Sequence, residues 1–125
     1  MKLAPWGAHL WSKRFGSTTL DDRGLAVTSD AAGNVFLGAR GGTGLDLGGG
    51  VLPGSSGATI GMFDASGNHV WSKRYGDSGD DVVTVTTDGA GDLLFTGSFN
   101  GSLSFGGSSL TSLGSFDVYA VKLGP

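Results

Sequence analysis

Short apolar and aromatic runs recur at regular spacing along the chain, and each is bounded by segments rich in Asp, Gly, Ser and Asn. Four runs read as strands, and each has a matching partner elsewhere in the chain. The first covers residues 25–29, matched by 82–87. The second covers 35–39, matched by 93–98. The third covers 58–63, matched by 116–122. The fourth covers 69–75, matched by 9–15. Strands one and two are joined by Asp30-Ala31-Ala32-Gly33-Asn34 or Asp88-Gly89-Ala90-Gly91-Asp92, and strands three and four by Asp64-Ala65-Ser66-Gly67-Asn68. Asp opens such a turn by bonding its own backbone, and Gly takes the positive φ that closes it. The pattern predicts two tight hairpins per copy, with longer Gly/Ser-rich connections at 40–57 and 100–115.

The copies are held in register. His9-Leu10-Trp11-Ser12-Lys13-Arg14-Phe15-Gly16 recurs as His69-Val70-Trp71-Ser72-Lys73-Arg74-Tyr75-Gly76, 60 positions later (9 to 69). Downstream the offset is 58, as in Asp30 to Asp88, and the slippage falls in loops, where length changes are tolerated. The opening Lys2-Leu3-Ala4-Pro5 matches the closing Lys122-Leu123-Gly124-Pro125. The chain thus opens on a fourth strand and closes on a third. The last copy lacks its outer strand, and the N-terminal segment carries a spare one.

A four-stranded meander repeated in tandem is the unit of a propeller. The expected fold is therefore an all-β β-propeller with two four-stranded antiparallel blades per chain. The first blade spans about 20–75. The second spans about 80–125 and is completed by strand 9–15 of a neighbouring chain. Two blades cannot close a ring, and each would leave an apolar face open. The expected partner is the chain itself, as a trimer or tetramer giving six or eight blades. The seam would carry His9, Trp11, Lys13, Phe15, Phe116, Val118 and Ala120. The alternative is a segment engineered or excised from a longer array, with no function of its own.

Composition supports strands joined by turns. Gly is the commonest residue, at 25 of 125, and all 11 acidic residues are Asp. Glu favours helices, whereas Asp and Gly favour turns. A net charge of -3 with 8 Lys and Arg leaves no basic surface for nucleic acid. No apolar run is long enough to span a bilayer and no signal pattern opens the chain, so no membrane insertion is expected. The absence of Cys excludes disulfides and thiolate chemistry.

The motifs quoted above, with Gly79-Asp80-Asp81, the run 85–97, Gly106-Gly107 and Asp117-Val118-Tyr119-Ala120-Val121-Lys122, resemble the bacterial β-propeller repeats named after seven-bladed propellers. The first copy departs from that pattern at Thr59-Ile60-Gly61-Met62-Phe63, and Trp6 stands where the other copy has Ser66. The resemblance implies a bacterial, extracellular or surface-associated repeat protein. It says little of function, because propellers host many activities.

Candidate chemistry is sparse. His9 and His69 are repeat equivalents, which favours a structural role over catalysis; no catalytic set, cofactor or metal site is expected. Asp21, Asp22, Asp80 and Asp81 precede the first strand of each copy and, with Arg40, are the candidate ligand-binding residues. They would either ring a channel mouth, binding a cation or sugar hydroxyls, or cap turns, the default use of Asp. Trp11, Trp71, Phe15 and Tyr75 read as packing between blades, with Lys13 and Lys73 on their face. The expected function is a non-catalytic scaffold or binding module. A glycan-binding, lectin-like propeller is the alternative. The connections 17–23, 40–57, 77–81 and 100–115 emerge at one end of the blades and form the expected binding face.

Overall fold

The computed structural model describes residues 1–19, 21–77 and 79–124. These contain strands and turns and no helix. In chain order the strands are β1 (Lys2–Leu3), β2 (His9–Trp11), β3 (Arg23–Ser29), β4 (Val35–Arg40), β5 (Ala58–Phe63), β6 (His69–Tyr75), β7 (Thr84–Thr87), β8 (Leu93–Phe99), β9 (Ser102–Leu103), β10 (Leu110–Thr111) and β11 (Asp117–Leu123). They form an antiparallel four-stranded sheet β3-β4-β5-β6, a three-stranded sheet β7-β8-β11, and the hairpins β1-β2 and β9-β10. No barrel or ring closes among the described residues.

The meander order follows from the turns. In each of three hairpins an Asp N–H donates to the carbonyl four residues on, and the Gly N–H donates back to the Asp carbonyl: Asp30 with Asn34 and Gly33, Asp64 with Asn68 and Gly67, and Asp88 with Asp92 and Gly91. The Asp carboxylate then accepts further backbone N–H groups, as Asp64 does from Ser66 and Asn68 at 2.9 Å. The glycines sit at φ between 83° and 86°, where a side chain would be strained. Residues 4–8 repeat the same turn without any Asp, through Ala4 N–H to Ala8 and Gly7 N–H to Ala4, both 2.8 Å.

The core lies between the two larger sheets. Phe36, Ala58 and Ile60 of the first pack against Val85, Leu93, Phe95 and Tyr119 of the second and against Val82, which precedes it. Gly38 permits this closeness: a Cβ there would lie 2.8 Å from the Val82 side chain. On the opposite face of the first sheet, Leu45, Leu47, Leu52 and Phe63 form a second cluster with Phe15, Val35 and Leu37.

Three expectations are corrected. The N-terminal strand runs only over His9–Trp11, and within the chain it pairs with β1. Residues 12–15 lack a strand partner, whereas their counterparts 72–75 are held by β5. Phe116 precedes β11, and Val82 and Val83 precede β7, because Val82 turns inward to fill the core. The connection at 100–115 contains a hairpin of its own, β9-β10.

Candidate functional site

The four long connections do emerge together, at the end of the sheets where β4 and β6 finish and β3 and β5 begin. Asp22 binds this end together in the first copy. Its carboxylate accepts from the Ser17 N–H at 2.5 Å, the Ser17 hydroxyl at 2.8 Å and the Gly42 N–H at 3.4 Å. Asp80 does the same in the second copy, accepting from the Asp77 N–H at 2.8 Å and the Asn100 N–H at 3.1 Å. Gly76 leaves room for it, since a Cβ there would meet the Asp80 carboxylate. The structural partner of Asp80 is therefore Asp22, 58 positions earlier (22 to 80), and Arg23 stands in the place of Asp81.

The remaining candidates are scattered. Asp21 is exposed beside Arg23 at 3.8 Å. Asp81 accepts from the Ser98 N–H and hydroxyl, and its carbonyl takes a hydrogen bond from the Tyr119 hydroxyl. Burial first, and then the charges of Asp81 and Asp80, hold that phenol well above its ordinary range, so it stays a donor. Arg40 is exposed at the end of β4. No group of three metal-ligating side chains exists among the described residues. His9 and His69 make the same local bond, to Ser12 and Ser72.

What the structure does gather is a cleft whose lining joins apolar side chains to Lys13, Arg14, Arg23 and the candidates Asp22 and Arg40. This cleft of about 390 Å³ lies between the N-terminal segment and the outer face of the first sheet. It is lined by Trp11, Phe15, Val27, Leu37, Leu47 and Phe63, among others. Phe15 stacks on Phe63 at 5.3 Å, and the Trp11 indole N–H donates to the Ala65 carbonyl at 3.2 Å. The cleft was not legible in the sequence, although Phe15 matches Tyr75, which packs on Phe95 of the second sheet and on Phe105 of the connection that follows β9. A shallower hollow on the outer face of the second sheet is lined by Thr84, Thr86, Leu94, Thr96, Ala120 and Lys122. There the Lys122 ammonium is held between Asp88 at 2.8 Å and Asp92 at 2.9 Å. Phe116 and Val118 stand exposed at the free edge of β11.

No protein-family model and no curated protein matches the chain.

The capping carboxylates set an acid limit. The Ser17 N–H, opposed by desolvation, lowers the Asp22 pKa below 3.8. Asn34 does the same for Asp30, Asn68 for Asp64 and Lys122 for Asp88. A carboxylate whose folded pKa is depressed stabilises the fold above its unfolded pKa and loses that contribution as pH falls through the folded value. The urea midpoint is expected to be flat with respect to these groups from pH 7 to about 5, and to fall steeply below about pH 4. A midpoint unchanged down to pH 2.5 would show that the caps contribute nothing.

Proposed function

We propose that the chain is a two-blade propeller unit that joins head to tail with copies of itself, forming a non-catalytic ring that serves as a binding scaffold. The observation that carries this reading is the unequal burial of repeat-equivalent positions. Val85, on the face of the second sheet that meets the first, is 6% exposed, while its counterpart Val27 is 67% exposed in the cleft. Ala58, on the face of the first sheet that meets the second, is fully buried, while its counterpart Val118 is 80% exposed. The two open faces thus repeat the two halves of the interface already made inside the chain. One half of an interface fits the other, so the joint is heterologous, and such joints close into rings when their rotation permits.

The second sheet's outer face is the more polar twin. Leu94 replaces Phe36, Thr96 replaces Gly38, Ala120 replaces Ile60 and Lys122 replaces Met62. That substitution keeps the separate chain soluble and makes the joint between chains weaker than the joint within one. The long connections gathered at one end are the binding face of this scaffold, since loops on a rigid frame carry recognition. The opposite end holds only tight turns, three opened by Asp and one, at residues 4–8, without it.

A pair of blocked variants tests the joint. Val27→Lys places an ammonium in the cleft, and Ala120→Lys places one on the opposing face. Both sites are exposed in the single chain, so its stability should not change. Burying an unpaired ammonium should weaken the joint at least about a hundredfold. Each variant alone should be monomeric. Mixed, they retain one intact joint and should stop at a heterodimer. Full assembly by either variant alone would contradict the reading.

A further inference from the structure

We propose that Arg14 is the recognition residue of the joint, docking its guanidinium onto the main-chain carbonyls of Phe99, Asn100, Thr111 and Ser112 of a second copy, beside that copy's Asp80. The proposal rests on the ring reading above and names the residue that would fix its register.

The template is Arg74 on β6. Its guanidinium reaches five acceptors of its own sheet's connections: the carbonyls of Gly41 at 3.3 Å, Gly42 at 3.1 Å, Pro53 at 3.3 Å and Gly54 at 3.1 Å, and the Thr59 hydroxyl at 3.3 Å. Arg74 thereby ties the ends of β4, the long connection and β5 into one rigid corner. A planar fork with five N–H donors can do this, and an ammonium cannot.

Arg14 is the repeat equivalent of Arg74, 60 positions earlier (14 to 74) in the shared Trp-Ser-Lys-Arg run. It is exposed at the cleft and makes no hydrogen bond or ion pair with any described residue. Its matching acceptors are absent from its own surroundings, because the sheet that should lie beside strand 9–15 is the second sheet of another copy. At the offset of 58, Gly41 and Gly42 become Phe99 and Asn100, and Pro53 and Gly54 become Thr111 and Ser112. The backbone of this region is repeated too: Leu52 donates to Leu45 in the first copy, and Leu110 pairs with Leu103 in the second. Four of the five acceptors are main-chain atoms, so they survive the change of side chains. Only the fifth is lost, where Thr59 becomes Tyr119, whose hydroxyl is spent on Asp81.

A second observation points the same way. Asp22 is bonded to the Gly42 N–H and draws part of its low pKa from the charge of Arg74. Its counterpart Asp80 is bonded to the Asn100 N–H, is 1% exposed, and has no ion pair among the described residues. A carboxylate this deeply buried is costly without a cation nearby. Arg14 of a second copy would supply it at the place where Arg74 serves Asp22.

The test compares the wild-type chain with Arg14→Lys and Arg14→Gln, by native mass across a dilution series and by melting of the dissociated chains. Arg14→Lys is expected to raise the dissociation constant of the joint about tenfold and Arg14→Gln about a hundredfold, with the melting temperature of the single chain unchanged. Equal dissociation of all three chains would overturn the role of Arg14 and leave the ring standing. A single chain destabilised by Arg14→Gln would place the role within the chain and overturn the proposal. A wild type that is monomeric throughout would remove the ring, and this proposal with it.

Discussion

Removal of residues 1–16 is expected to abolish the discrete assembly and leave a chain that aggregates. The reason lies at the free edge of β11. This strand pairs with β8 along Asp117–Leu123, and no described strand pairs with its other edge. That edge presents a row of unpaired N–H and C=O groups, which is a template for uncontrolled strand addition. In the first sheet the equivalent edge of β5 is covered by β6, with Ala58 opposite Tyr75, Ile60 opposite Lys73 and Met62 opposite Trp71. Carried across the repeat, that register sets Val118 opposite Phe15, Ala120 opposite Lys13 and Lys122 opposite Trp11 of another chain. Two positions of this strand are contested. Trp11 and His9 already pair with Lys2 and Leu3, the repeat counterparts of Lys122 and Leu123, and both hairpins carry the same register shift. A deletion of only Met1–Leu3 should therefore act in the opposite sense and let the assembly form at lower concentration. Light scattering separates the cases. An unchanged discrete assembly after deletion of residues 1–16 would show that strand 9–15 does not complete the joint.

Asp80→Ala is expected to be the most damaging single substitution in the chain outside the glycines. The carboxylate is 1% exposed and accepts from the N–H groups of Asp77 and Asn100 in part-buried hydrogen bonds. Truncation leaves both donors without an acceptor and opens a void beneath Gly76. A fully buried orphaned donor costs about 1–3 kcal/mol, and water reaches these two in part, so a loss of about 2–4 kcal/mol is expected for the pair. That is a large share of the about 5–15 kcal/mol that a small domain commands. Asp80→Asn keeps the shape and one acceptor and should lose less. Asp21→Ala is the control. Its carboxylate is exposed in a long surface pair with Arg23, and its removal should not move the urea midpoint. Equal midpoints for Asp80→Ala and Asp21→Ala would contradict the assigned role of Asp80.

The tandem meander was legible because its signals are local. Asp-x-x-Gly-Asn turns specify hairpins wherever they stand, and Ala58–Phe63 and His69–Tyr75 run over the expected residues. The three-stranded second sheet, lacking its fourth strand, likewise follows from the order of runs. What failed depends on distant partners. Residues 12–15 carry the same residue types as 72–75, yet without a third strand beside them the ladder stops at Trp11. The dipeptides Asp21-Asp22 and Asp80-Asp81 look alike in sequence, yet the counterpart of Asp80 is Asp22, because the loop length differs between copies. Hydrogen bonding, and not identity, shows which Asp is the cap. Arg74 was unreadable for a related reason: its main acceptors are carbonyls, which every residue has. The cleft beneath Phe15 was equally hidden, because its openness reflects which neighbour is missing and not which residues are present.

Native mass of the intact chain at micromolar concentration separates a ring from a lone chain. One dominant closed species of three or four chains is expected, giving six or eight blades, which dissociates on dilution to folded monomers without a ladder of larger forms. A folded monomer at every concentration, with Val27 and Val118 still open to solvent, would contradict the ring.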